Sequence, residues 1–170
     1  MTNTYSFPTA IGPCALRWNE RGICGVALLA EAEPAPRVAS QAETPLHVRR
    51  AAEAVAALLG GDRTDLRFVA LDMDAIEPFR RAVYEAAREI PAGATLSYGE
   101  LAAAAGQPGA AREVGVALAR NPFLVIVPCH RVLAADGALT GFSAPGGIAT
   151  KRRMLEIERA PGFEQQPLFA

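Results

Sequence analysis

The chain has 170 residues, 51% of them apolar and 21% charged, with a formal net charge of -1. That is an ordinary soluble composition, long enough for one domain or two small ones. It excludes a membrane span, because no run of ~18 apolar residues occurs, and MTNTYSFPTA lacks the charged head and apolar core of a secretory leader. A cytoplasmic protein is therefore expected. In chain order, ALRWNERGICGVALL is predicted as a hairpin around Asn19-Glu20-Arg21-Gly22 and EAEPAPRVASQAETP as a loop. After Pro45, Leu46, Val48, Ala52, Val55, Leu58 and Leu59 keep helical spacing until Gly60-Gly61 stops them. LRFVALDMD is predicted as a strand, so the first region is a small sheet with a helix across it.

The texture changes at Pro78. PFRRAVYEAAREI sets Phe79, Val83, Ala86, Ala87 and Ile90 on one helical face, and Pro91-Ala92-Gly93 breaks it. In SYGELAAAAG, Ser97 and Glu100 have the spacing of a capping box. Gln107-Pro108-Gly109 then turns the chain into a second helix, AAREVGVALARN, giving a helix-turn-helix pattern. FLVIV is predicted as a buried strand or extended segment, and TKRRMLEIERA as a C-terminal helix. Charge is uneven. Residues 1–79 carry seven Arg against ten acids, whereas residues 80–160 carry nine Arg and one Lys against seven acids. The second half is the part able to meet a polyanion.

Three cysteines, Cys14, Cys24 and Cys129, are an odd number and make no disulfide framework. Cys129 stands apart because it lies in VPCHRV, preceded by Pro128 and followed by His130 and Arg131. A free thiol is mostly protonated at neutral pH, so a nucleophilic cysteine needs a base or cation nearby. Adjacent residues on a strand point to opposite faces, so His130 reaches the sulfur only if the chain turns there or a water bridges them. From the pair alone, a nucleophile, an inert core cysteine and a metal ligand all stay open.

Asn121-Pro122 followed by VPCHRV resembles the reactive loop of the O6-alkylguanine-DNA alkyltransferases, the methylated-DNA–protein-cysteine methyltransferases. LSYGELAAAAG, AAREVGVALARNP, GFS and KRRMLEIE fall in that family's order and spacing. The likeness is strong over residues 78–160 and loose before them. It implies an α/β N-terminal domain over 1–77, with a small ribonuclease-H-like sheet and helix. It also implies a mostly α, winged-helix-like helix-turn-helix domain over 78–170. The implied activity is DNA repair. A damaged guanine is flipped out of double-stranded DNA, because its O6 edge is inaccessible in the stack, and the alkyl group passes irreversibly to Cys129. O4-alkylthymine is a candidate second substrate.

No cofactor or metal is implied, and a monomer is expected. By matched position, His130 is the water-mediated base and Glu158 orients it. Tyr98 donates to the departing guanine. Val132 and Ser143 contact the flipped base through backbone atoms, and Asn121 pins the reactive loop. Arg112 fills the gap in the stack, and the small residues of its helix, Ala111 and Gly115 among them, allow approach to the minor groove. Arg131 is expected to pair with a nearby carboxylate, and Lys151, Arg152 and Arg153 to form a solvated or phosphate-contacting face.

The chain also departs from the family pattern. Leu124 stands where proline is common, Phe142 replaces a tyrosine, and the SAPGGIATK loop is two residues longer, with Ala144-Pro145 beside the pocket. Cys14, Cys24 and His47 do not have the spacing of a zinc set, and the two cysteines are expected in the core. A non-catalytic lesion-binding protein of the same family is the rival reading. Cys129 speaks against it, since such proteins lack the cysteine. A transcriptional regulator would need an upstream activator domain, which is not expected. A cysteine hydrolase would need an oxyanion motif that the sequence does not offer.

Overall fold

The computed structural model describes residues 1–30 and 39–164; most of the loop predicted over 31–45 lies outside them. The predicted hairpin is present as β2 (Cys14–Asn19) and β3 (Gly22–Leu28). A further strand that the sequence reading did not foresee, β1 (Asn3–Phe7), pairs antiparallel with β2 from Asn3 opposite Trp18 to Phe7 opposite Cys14. The sheet order is β1-β2-β3. Alternation places Cys14, Leu16 and Trp18 in the core while Arg17 faces outward. Helix α1 (Leu46–Leu59) packs against this sheet through Val48, Ala51, Ala52, Val55, Leu58 and Leu59.

LRFVALDMD is not a strand. Only Leu71 pairs, in a single parallel bridge to Ile23, with Ile23 N–H donating to Ala70 O (2.9 Å) and Asp72 N–H to Ile23 O (2.8 Å). Carboxylates compete with any ladder on both sides of that bridge. Asp65 accepts from Arg67 N–H (2.9 Å) and Asp72 from Asp74 N–H (3.1 Å), which bends the chain into turns.

The second half is helical. In α2 (Pro78–Arg88), proline occupies the first turn, where its missing N–H costs nothing. Tyr84 is buried and donates its hydroxyl to Ala117 O (2.8 Å), tying α2 to the helix that follows the Gln107-Pro108-Gly109 turn. Strand β4 (Leu96–Ser97) leads into α3 (Tyr98–Ala104), whose predicted capping box forms in both directions: Glu100 N–H donates to Ser97 Oγ (3.1 Å) and Ser97 N–H to Glu100 Oε2 (2.7 Å). Such a cap contributes about 1 kcal/mol. Helix α4 (Ala111–Ala119) follows, burying Val114, Ala117 and Leu118, and α5 (Ile148–Ile157) closes the domain.

FLVIV is buried but folded back on itself rather than extended. Leu124 bridges Val127, Val127 N–H donates to Phe123 O (2.8 Å), and Val125 has φ 72. A β-branched residue in that region is costly and is held there by its burial and the surrounding bonds. The N-terminal sheet braces this turn: Val26 bridges Phe123 and donates its N–H to Pro122 O (2.8 Å). One apolar cluster contains residues from both halves of the chain. Among the described residues, no helix is long and apolar enough to cross a membrane.

Candidate active site

Two local features bring the chemistry together. Residues Cys129–Arg131 form one turn of 3-10 helix between Pro128 and β5 (Val132–Leu133). The chain therefore turns at the cysteine, so Cys129 and His130 are not held on opposite faces of a strand. Strand β5 then pairs parallel with β4, Leu96 opposite Val132 and Ser97 opposite Leu133. In this parallel ladder Tyr98, which follows β4, comes level with Ala134, which follows β5, and both residues line the hollow that Cys129 borders.

Cys129 is mostly buried but borders a cavity of about 840 Å³, whose walls include Tyr98, Ala111, Arg112, Gly115 and Ser143. Six of the ten sequence-predicted site residues thus share one hollow. The other four are buried or half-buried and are not among its walls. His130 is wholly buried, with Nε2 2.8 Å from Glu158 Oε1. Its Nδ1 is buried and has no protein partner among the described residues. Asn121 donates Nδ2–H to Val127 O (2.9 Å) and accepts from Phe123 N–H (2.9 Å), which pins the turn leading to Cys129. Val132 is fully buried, and its carbonyl accepts from Lys151 Nζ (2.7 Å).

The electrostatics follow from burial. Burial pushes the Cys129 thiol up, only partly offset by the Asn121 side chain and the Lys151 charge. Burial also pushes His130 below its ordinary 6.5, against the opposing pull of Glu158. A neutral imidazole donating from Nε2 to Glu158 leaves a lone pair on Nδ1. Burial alone would raise Glu158, but His130 and Arg131 outweigh it and hold the carboxyl at about 2. With His130 neutral, the countercharge is Arg131. It donates Nε–H to Oε2 (2.9 Å) and Nη2–H to Oε1 (2.8 Å), while Nη1–H goes to Ile90 O (2.6 Å).

Two residues were misplaced or missed. Lys151 is not on a solvated face: it is 1% exposed and donates to Val132 O and to Thr140 O (3.3 Å). Arg152 and Arg153 are exposed, as expected. The signal was present in the helix periodicity, since Lys151, Met154, Leu155 and Glu158 fall at i, i+3, i+4 and i+7 and all four are buried. The expected carboxylate partner of Arg131 is Glu158 itself, so one carboxylate serves both neighbours of the turn. Thr140, which the sequence reading passed over, lies 2.7 Å from Tyr98 Oη.

Residues 78–160 match the family described as 6-O-methylguanine DNA methyltransferase, DNA binding domain. The chain is 42% identical over 127 residues to the methylated-DNA–protein-cysteine methyltransferase of Mycolicibacterium paratuberculosis, covering 75% of this chain and 74% of that one. The chain belongs to this methyltransferase family. The enzyme of that name from Methanothermobacter thermautotrophicus is 33% identical over 141 residues, 83% of this chain and 76% of its own. The crystal structure of Mycobacterium tuberculosis OGT in complex with DNA superimposes with a TM-score of 0.75 at 35% identity, covering 95% of this chain and 96% of that one. Against these methyltransferases the α/β character of the fold is the shared one.

Proposed function

We propose that this methyltransferase repairs alkylated DNA by moving the alkyl group from O6-alkylguanine to Cys129, once per molecule. The carrying observation is the cavity that Cys129 shares with Tyr98 and the small-residue face of α4, backed by the buried His130–Glu158–Arg131 chain. The sulfur–carbon bond forms as the carbon–O6 bond breaks, and that electron pair stays on the guanine. The thiol proton passes to His130 Nδ1 through one water, and one proton returned to the ring leaves a neutral base. A cysteine held as a thiol by burial needs such a base at the moment of reaction. The Tyr98 hydroxyl donates to the ring nitrogen that gains charge. The thioether has no leaving tendency, so turnover stops.

Double-stranded DNA carrying the lesion is the partner. In this reading α4 enters the minor groove, with Arg112 taking the place of the extruded base and Ala111 and Gly115 allowing close approach. Val132 and Ser143 meet the flipped base through backbone atoms. Residues 1–77 act as a ribonuclease-H-like brace and 78–170 as a winged-helix-like unit, in a cytoplasmic monomer that uses no cofactor. Intact-mass measurement after mixing with O6-methylguanine duplex tests this. The protein gains one methyl group at Cys129 and no more, Cys129→Ser gains none, and His130→Ala is slowed about 10²–10⁴-fold. Repeated turnover, or methyl on Cys14 or Cys24, overturns it.

A further inference from the structure

Tyr98 opens α3, and its ring faces Gly115 of α4, where an added Cβ would sit 3.9 Å from two ring carbons. Its hydroxyl lies 2.7 Å from Thr140 Oγ1, which comes from the segment after β5 and lines the same cavity. Thr140 is itself anchored, because its carbonyl accepts from buried Lys151. The Lys151 ammonium also stands 5.9 Å from the Tyr98 ring centroid. Among the described residues the Thr140 hydroxyl has no other bond, and neither does that of Tyr98.

A phenol carries one proton. If Tyr98 gave it to Thr140, none would be left for a base in the cavity. If Thr140 donates instead, the Tyr98 proton is free to point inward, and a phenol oxygen that accepts a hydrogen bond becomes a stronger donor. We propose that Thr140 is a positioning residue for alkyl transfer, donating to Tyr98 so that the tyrosine O–H is aimed at the departing guanine. The inference rests on the alkyl-transfer reading above. The stabilisation is needed where charge develops, so it acts on the rate of the chemical step rather than on DNA binding.

The test is a double-mutant cycle, with transfer rates measured on both O6-methylguanine duplex and free O6-benzylguanine. Losing one neutral hydrogen bond to the donor corresponds to roughly 3- to 10-fold in rate. Thr140→Val, which keeps the shape and removes the hydroxyl, slows both substrates by that factor. Thr140→Ser restores most of the rate, and on a Tyr98→Phe background Thr140→Val has no further effect. Thr140 is exposed, so all these variants should fold, and thermal unfolding verifies it. A Thr140→Val loss that persists without the tyrosine hydroxyl, a Ser variant as slow as Val, or an unchanged Val variant overturns the inference. A wild-type protein that takes up no alkyl group at all instead overturns the alkyl-transfer reading.

Discussion

Replacing Glu158 by glutamine isolates the charge at the back of the site. The carboxylate accepts from His130 and twice from Arg131, and Gly93 N–H approaches Oε2 at 3.4 Å. The amide keeps the shape but leaves the Arg131 cation, 6% exposed, without a countercharge. Breaking a buried ion pair from one side costs about 3–5 kcal/mol. For His130 and Arg131 acting together, linkage gives a similar figure: a carboxyl held at about 2 against an ordinary 4.5 corresponds to ~3 kcal/mol. Because the folded value is the lower one, this stability is fully present above 4.5 and is lost as the pH falls toward about 2.

Urea denaturation should therefore show Glu158→Gln less stable by about 3–5 kcal/mol at pH 7, the gap shrinking by ~2 kcal/mol at pH 3. His130 has a slope of its own. Its folded value is depressed below 6.5, so stability falls as the pH drops through that point. Repeating the comparison on a His130→Ala background removes this contribution. With His130 intact, Glu158→Gln is expected to slow transfer at pH 7 about 10- to 100-fold, since the imidazolium of the proposed reaction loses a charge-assisted bond. A gap under ~1 kcal/mol at pH 7, or one that does not narrow in acid, would falsify the role given to Arg131 and Glu158.

Three further outcomes are expected. Arg112→Ala, an exposed change on α4, slows repair of duplex DNA far more than reaction with free O6-benzylguanine, which needs no flipping; equal losses would make Arg112 a support of the fold. Tyr84→Phe removes the bond to Ala117 O and lowers stability by about 1–2 kcal/mol in urea denaturation, and an unchanged midpoint refutes the tie between α2 and α4. Gly22→Ala lowers stability by more than ~1 kcal/mol, because φ is +145° and the new Cβ would meet Ala70 O at 2.6 Å; a neutral result would mean that the turn relaxes freely.

What the sequence revealed depended on how local the cause was. The β2–β3 hairpin, the Ser97–Glu100 cap and the helices α1 to α5 follow from turn residues and apolar spacing within each segment. LRFVALDMD and FLVIV have strand composition, but their fate was decided elsewhere: Asp side chains bent the first, and packing against Val26 folded the second. β1 escaped notice because its half-buried residues alternate only weakly. In the site, VPCHRV singled out the Cys129–His130 pair but left nucleophile, core cysteine and metal ligand open, and the roles assigned to the two came with the family resemblance. That Arg131 and His130 share one carboxylate depends on the docking of α5, 27 and 28 residues away. Lys151 was hidden by its neighbours, since Lys-Arg-Arg reads as a charge run until the helical phase is followed to Glu158.

Burial by itself does not make a cysteine reactive, and the chain contains its own control. Cys14 is fully enclosed in the sheet core, and burial pushes its thiol up to about 12. Cys129 is pushed up for the same reason, so at rest both are thiols. The difference lies in what each thiol faces. Cys14 is 0% exposed and sits among Leu16 and the apolar neighbours of the sheet core. Cys129 borders the cavity, with a neutral imidazole behind it and a buried ammonium at Val132 O. A thiol of this kind stays protected from solvent oxidants as long as it is protonated. In the reaction proposed above it becomes a nucleophile only when an alkylated base presents the carbon to be attacked and the bridging water carries the thiol proton to His130. In a protein that reacts once, holding the sulfur as a thiol keeps it available for the lesion.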